Sequence, residues 1–354
     1  MLPNHQAKIC KGIVLERLEH LPPGGKMGDL PLHLQHKSFI RTGEKKTGGP
    51  NMRLIRLEDK KPALTVTAHI FNKFVHPIEN RYVTPREAAT LQDFPLDYEF
   101  QGTLGEIHKQ IGNAVPVKLA TAIAKEVSNY LKSIGETGIK TIASFFTGAG
   151  GLDLGFEAAT DSKIIFETKF SNDIEHFAEK TINKNRPYWN FIRQDIRTIS
   201  PQQIINAVNG KPDIIVGGPP CQPFSVAGKQ KATDDPLGTL YRDFIRIIDQ
   251  LNPKIVVMEN VYGLAQVKKA NMLDEIYKSF DDIGYSVKHA ELFSCDYGTP
   301  QKRRRLFFIA TEKNLDKFSF PEPTHSETEN LLGLPLYTGA GEILKKLPKP
   351  IYRD

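Results

Sequence analysis

The sequence predicts a doubly wound α/β fold, a mostly parallel sheet covered by helices, with a small irregular domain attached. From Thr141 onward short apolar runs alternate with longer helix-period stretches, which is the pattern of successive βαβ units. The first of those runs opens into the glycine-rich turn Phe146-Thr147-Gly148-Ala149-Gly150-Gly151. Further on, Pro212-Asp213-Ile214-Ile215-Val216 runs into Gly217-Gly218-Pro219-Pro220-Cys221-Gln222-Pro223-Phe224-Ser225. Active sites of open α/β sheets lie at such strand ends.

The candidate strands are 141–146, 164–169, 213–216, 254–258, 285–293 and 306–310. Helical stretches lie between them at 174–185, 201–208, 239–251 and 271–283. The pattern around 284–310 reads as two antiparallel strands closing a sheet edge. Ahead of all these, segment 20–52 is rich in Gly, Pro, Lys and His and reads as irregular. Thr84 is placed as the N-cap of a helix with Pro85 in its first position. A second helix follows Gly112-Asn113-Ala114-Val115-Pro116 and runs to about residue 132, and 133–138 is a short linker into the first strand.

At 354 residues the chain has room for two domains or for one large domain with an appendage, and its 40% hydrophobic and 25% charged fractions are those of a globular protein. No apolar run approaches the roughly 18–20 residues that span a bilayer. Residues 1–8 lack a signal-peptide core, so a cytoplasmic protein is expected. Cys10, Cys221 and Cys295 are too few and too scattered for a disulfide framework or a zinc site. A reducing compartment would keep Cys221 available as a thiol. His69, His76 and His108 have no ligand spacing, so no metal is expected, and the lone Trp189 reads as packing. The net charge of +6 and pI near 9.0 lean toward a polyanionic partner, an argument with weight only where the basic residues gather near the chemistry.

The chemistry-bearing residues sit at the ends of the strands. A lone cysteine in a loop reads as an inert thiol. Here two glycines bend the backbone and two prolines stiffen it, which suits a nucleophile that must meet its target closely. The glycine turn has G-x-G-G spacing, not the G-x-G-x-x-G of a dinucleotide site, and an aromatic precedes it. On its own it reads equally as a tight turn. Asp173 follows the second strand, where a carboxylate can accept both ribose hydroxyls, and Asp195 follows a third, where it could take an adenine amino proton. Either acid alone is a solvated loop residue or a cap; with the glycine turn, in that order, they make a nucleoside site. Glu259 ends an apolar strand in Met258-Glu259-Asn260-Val261, and a carboxylate there is functional or solvent-facing. Finally, Tyr297-Gly298-Thr299-Pro300-Gln301-Lys302-Arg303-Arg304-Arg305 leads into the last strand. It reads either as a solvated charged turn or as an anchor with Arg303 and Arg305 on one strand face.

With these residues in view, the chain resembles the DNA (cytosine-5) methyltransferases over nearly its whole length. The turn at 146–151 matches that family's S-adenosylmethionine loop, 217–225 its nucleophile turn, 258–261 its glutamate motif and 297–305 its Gln-x-Arg-x-Arg motif. Gln110-Ile111-Gly112-Asn113-Ala114-Val115-Pro116 matches its last block, and Arg56-Leu57 to Pro62-Ala63-Leu64-Thr65 the block that supports the recognition domain. Those last two blocks end the usual order but come first here, at 110–116 and 53–67, which reads as a circular permutation. The resemblance implies a Rossmann-like S-adenosylmethionine-dependent methyltransferase domain at 139–318 and a helical segment at 81–135 completing it. A small target-recognition domain at 1–80 would be completed by 319–354.

The resemblance also assigns roles. Cys221 attacks C6 of a cytosine flipped out of duplex DNA, Glu259 holds the base, Arg305 meets its O2 side and Arg303 stands nearby. Phe146, Gly148, Gly150, Gly151, Asp173, Asp195, Pro219, Leu240, Asn113 and Val115 are expected to bind S-adenosyl-L-methionine. Ser225, Lys229, Lys231, Gln301, Thr65 and Arg56 are expected on the DNA, with 226–238 as a lid. Family members often carry an arginine just before the glycine at 238, where this chain has Leu237. A monomer with a restriction endonuclease as system partner is the expected context. An RNA-methylating branch carries a Cys-Phe-Thr signature that this sequence lacks, and a silent DNA-binding homologue would have lost Cys221, Glu259 or Arg305. The target sequence is not readable, although 35–52 is where base contacts are expected.

Overall fold

In the computed structural model, residues 2–36, 54–68, 73–220, 240–262, 272–312 and 315–353 are described. The chain starts with strand β1 (Gln6–Lys8) and helix α1 (Gly12–His20), then the two-residue strands β2 (Ile55–Arg56), β3 (Ala63–Leu64) and β4 (Phe74–Val75). Helices α2 (Pro85–Thr90) and α3 (Leu104–Asn113) each open on a capping box, in which Thr84 pairs with Glu87 and Thr103 with Glu106. Helix α4 (Val117–Ser133) leads into β5 (Gly138–Phe145). The alternation then continues through α5 (Gly151–Ala158), β6 (Ile164–Asp173), α6 (His176–Asn185), β7 (Phe191–Arg193), α7 (Pro201–Val208) and β8 (Ile214–Gly217). Next come α8 (Leu240–Leu251), β9 (Ile255–Val261), α9 (Met272–Asp281) and β10 (Ser286–Phe293). The last elements are β11 (Gln301–Lys302), β12 (Arg304–Thr311), α10 (Ala340–Leu344) and β13 (Ile351–Arg353).

Contacts divide the chain into two units, residues 1–116 with 294–303 and 323–354, and residues 117–293 with 304–322. In the second unit, Ile214-Ile215-Val216 and Ile255-Val256-Val257 are β-branched and fully buried, as strands covered on both faces must be. They form the middle of a seven-stranded sheet of order β10-β12-β9-β8-β5-β6-β7. Strands β9, β8, β5, β6 and β7 are parallel, and β12 runs antiparallel to both β9 and β10. Phe145, Phe170 and Phe244 fill the core beneath, with ring centroids of Phe145 at 5.5 Å from Phe170 and 6.0 Å from Phe244. The chain winds outward from β5 to β6 and β7, then returns to β8 on the other side of β5. That reversal makes the carboxyl ends of β5 and β8 the switch point where open α/β sheets bind ligands.

The expected strands and helices of this unit all appear, with ends shifted by a few residues; β5 begins at 138 and β12 at 304. The first unit has less regular structure. Strand β1 pairs in parallel with β13, β2 with β4, and β11 with β3. Leu18, Leu21, Met27, Leu30, Leu34, Leu54 and Val75 form its small core. Of the segment read as irregular, His20 ends α1, residues 21–36 carry a 3-10 turn at Met27–Asp29 and an isolated bridge from Lys26 to Ile55, and 37–52 lie outside the described residues.

The division at residue 80 suggested by the sequence is not where the chain divides. Residues 81–116 and 294–303 fold with the first unit. Polar side chains tie them there: His5 Nδ1 meets Thr84 Oγ1 at 2.8 Å, and Arg86 donates to the carbonyls of Pro3 (3.1 Å) and Pro95 (2.8 Å). Arg81 holds Glu87 through two parallel hydrogen bonds of 2.8 and 2.7 Å, both residues buried.

Candidate active site

Strand β8 ends at Gly217, and the turn Gly218-Pro219-Pro220 carries the chain toward Cys221. Cys221, Ser225, Lys229 and Lys231, with the expected lid at 226–238, lie outside the described residues. The described part of the turn is fastened to β9. Asn260 Nδ2 donates to the Pro219 carbonyl at 3.0 Å, and Asn260 Oδ1 accepts the Val261 amide at 2.8 Å. A Cβ on Gly218 would stand 3.1 Å from Glu259 Oε2, so the glycine allows the turn to lie against that carboxylate.

Glu259 meets Arg305 directly, Oε1 to Nε at 2.7 Å, with side chains only 13% and 12% exposed. The register explains the meeting: Phe307 pairs with Glu259 and Arg305 with Val261, so Arg305 shares the face that Glu259 occupies. Burial lowers the Arg305 pKa and the Glu259 charge opposes that shift. A carboxylate and a guanidinium held this way, largely out of water, present an acceptor and a fork of donors beside the turn.

Arg303 has a different place. The sequence put it on one strand face with Arg305, but β12 begins at Arg304. Arg303 is buried in the first unit, where it donates to the carbonyls of Val66 (2.7 Å) and Asn113 (3.4 Å). Arg304 ion-pairs with Glu291 and covers the Tyr262 ring. Gln301, expected on DNA, is fully buried: its Oε1 accepts the Val66 amide at 2.6 Å and its Nε2 donates to Leu91 O (3.2 Å) and Gln92 Oε1 (2.8 Å). Arg56 is likewise interior, donating to Leu18 O, to Leu21 O (2.7 Å), to His76 O (2.8 Å) and to Asn80 Oδ1 (2.7 Å). Both side chains are committed to their own chain, which corrects their assignment to a DNA surface. Thr65, half-buried, donates to the Lys302 carbonyl at 3.1 Å.

At the ends of β5 and β6 the glycine turn takes a strained path that few sequences allow. Phe146, Gly148 and Gly150 all have positive φ, at 53°, 55° and 74°. At Gly150 a Cβ would strike the buried Trp189 ring at 2.6 Å, so the turn rests on that indole and only glycine fits. Gly151 begins α5. The Gly148 amide donates to Asp173 Oδ2 at 2.8 Å and the Glu175 amide to Asp173 Oδ1 at 3.0 Å. Burial raises the Asp173 pKa, and those amides pull against it. Asp195 caps a 3-10 turn and is held by Arg197, which keeps its carboxyl below the usual range. Leu240, half-buried, opens α8 against the core containing Phe244, whose ring lies 6.4 Å from that of Phe146. Asn113 and Val115 belong to the first unit, where Asn113 is exposed and Val115 buried. The sequence reading missed Asn260 and Asp153; an acid inside the apolar stretch Leu152-Asp153-Leu154 was the available signal for the second.

The family model for C-5 cytosine-specific DNA methylases matches residues 23–129 and 140–350, and the chain belongs to that family. Among curated proteins it is similar to the type II methyltransferase M1.HphI of Haemophilus parahaemolyticus, 36% identical over 212 residues, covering 59% of this chain and 53% of that protein. It is also similar to M.PspPI of a Psychrobacter species, 38% identical over 186 residues, covering 52% of this chain and 42% of that one. With M.AquIA of a Picosynechococcus species it shares 35% identity over 209 residues, 56% of this chain and 82% of the relative. The chain spans about half the length of the first two. The solved structure of the methyltransferase EhMeth of Entamoeba histolytica is 25% identical, with 51% of this chain and 55% of that one covered at a TM-score of 0.42.

The cofactor this family implies is S-adenosyl-L-methionine, and the residues at the ends of β5 and β6 fit it. Asp173 accepts the Gly148 amide on Oδ2 and the Glu175 amide on Oδ1, with the Ile174 amide beside them, and a carboxylate's four lone-pair positions leave room for a ribose hydroxyl. The glycine turn brings bare backbone to the start of α5, and Phe146 supplies an apolar ring.

Proposed function

We propose that this chain is a DNA (cytosine-5) methyltransferase of a type II modification system, acting on a cytosine turned out of a specific duplex sequence. The observation that carries the reading is the Glu259–Arg305 pair lying against the turn that leads to Cys221, at the sheet's switch point. The Cys221 thiolate adds to C6 of the base, forming the S–C6 bond and moving the C5=C6 pair onto C5. Glu259 holds N3 and the exocyclic amino group, and Arg305 turns its donors to the O2 edge. S-adenosyl-L-methionine, when bound, would supply the methyl group for C5, the S–CH3 bonding pair staying on sulfur as S-adenosylhomocysteine. A base then removes the C5 proton, C5=C6 re-forms, and the thiolate leaves.

Phe146, Gly148, Gly150, Gly151, Asp173, Asp195, Pro219 and Leu240 line the methyl donor in this reading. Asn113 and Val115 keep that assignment from the family resemblance alone, as do Ser225, Lys229, Lys231 and Thr65 for DNA. Arg303 is a positioning residue, tying the Val66 segment to the end of α3. The motif order is read as a circular permutation. Two features support it: α4, which follows 110–116, packs on α5 and enters β5 through a four-residue turn, 134–137, and β1 pairs with β13.

A duplex pool with random flanks and 5-fluorocytosine in place of cytosine tests the chemistry, because fluorine at C5 blocks the final elimination. With S-adenosylmethionine present, wild type forms a protein–DNA adduct stable to denaturing electrophoresis, and Cys221→Ser forms none. An adduct of equal yield in both would overturn the assigned nucleophile.

A further inference from the structure

We propose that Asp153 is a positioning residue for the cofactor turn, acting through a line of hydroxyls, Ser144 and Thr147, that fixes where Gly148 and Asp173 stand. The inference rests on the cofactor reading given above. Asp153 lies in α5, is 1% exposed, and is flanked by Leu152 and Leu154. A buried carboxyl is costly unless hydrogen-bonded, and this one is bonded on both oxygens. Ser144 of β5 donates to Oδ2 at 3.0 Å and Thr168 of β6 to Oδ1 at 3.2 Å, so the group binds one helix to two adjacent strands.

The line continues toward the ligand. Thr147 Oγ1 lies 3.0 Å from Ser144 Oγ and 3.3 Å from the Ser144 carbonyl, the two acceptors within reach of its proton, and accepts the Asn172 amide at 3.2 Å, while the Thr147 amide donates to Asn172 O at 3.0 Å. One residue further along each strand end, the Gly148 amide donates to Asp173 Oδ2 at 2.8 Å. Each hydroxyl has a single proton. Ser144 gives its proton to Asp153, which leaves its oxygen free to take the proton of Thr147. Thr147 then has only its oxygen to offer the Asn172 amide. With an acceptor at the Asp153 end, the Ser144 oxygen stays open to the Thr147 proton, and the Thr147 oxygen to the Asn172 amide, which can only donate. A plain core hydrogen bond would need none of that continuity.

The test uses the full-length protein and two readouts: calorimetric affinity for S-adenosylhomocysteine, and amide hydrogen exchange of the ligand-free protein. Asp153→Asn keeps the shape but puts a donor against Ser144 or Thr168. It is expected to weaken binding at least tenfold and to speed exchange at Thr147 and Gly148 at least tenfold, leaving β8 and β9 unchanged. Thr147→Val should do the same, and the double variant should lose little more than either alone. If Asp153→Asn does not fold, Thr147→Val and Ser144→Ala decide the matter by the same readouts. Wild-type binding together with unchanged binding and exchange in these variants overturns this proposal alone. No binding by wild type overturns the cofactor reading as well.

Discussion

Glu259 could be picked from the sequence because a carboxylate ending an apolar strand has few structural uses, and the fold gives it Arg305 as a partner. Glu259→Gln keeps the shape and removes the charge that the proposed addition needs. Methyl transfer is expected to fall about 10²-fold to 10⁴-fold, the usual worth of a positioned acid or base, with S-adenosylhomocysteine affinity unchanged. A rate within threefold of wild type would remove Glu259 from the chemistry. The arginines and Gln301 were harder to read. Arg303 was expected on one strand face with Arg305, and Arg56 and Gln301 on DNA, yet all three spend polar atoms on carbonyls and amides from distant segments. Arg56 reaches Leu21 and His76, 35 and 20 residues away, through loops with no periodicity to announce them. Whether a charged side chain faces water or a buried carbonyl is decided by tertiary contacts that a local pattern does not carry.

At the scale of elements, the second unit was legible because its strands are short β-branched runs and its helices carry helix-period faces. Helix α7 even begins and ends at the expected residues, where Ser200 and Gln203 form a capping box around Pro201. In the first unit only the helix opened by Thr84 and Pro85 was legible, because its strands are two or three residues long and polar anchors replace much of the core. One of those anchors can be measured. Arg81 and Glu87 fasten α2 while being 4% and 1% exposed, and Glu87 also accepts the Thr84 amide at 2.7 Å. Arg81→Ala leaves the carboxylate buried without its partner and is expected to cost about 3–5 kcal/mol in denaturant unfolding. A loss under about 1 kcal/mol, the range of an exposed pair, would show that α2 is held by other contacts.

At the scale of the whole molecule, the motif order can be tested by restoring it. Strands β1 and β13 run in parallel with Lys8 level with Arg353, so a new connection must return the length of β1 and reach residue 2. Six residues at strand rise are roughly 20 Å, within the span of a linker of about eight residues. A variant joined there and opened between Gly135 and Gly138 is expected to bind S-adenosylhomocysteine within threefold of wild type. Loss of binding in a folded variant would contradict the permutation reading. Both closing points were visible only in part: the 133–138 linker was legible from its glycines, whereas the β1–β13 pairing joins three-residue segments nearly the whole chain apart.

The most direct measurement is transfer of labelled methyl from S-adenosylmethionine to mixed-sequence duplex DNA by wild type and Cys221→Ala, with tRNA alongside. Label appearing in the duplex as 5-methylcytosine, and absent with Cys221→Ala, is the predicted result. Label in tRNA alone, or in the duplex equally with both proteins, would contradict it.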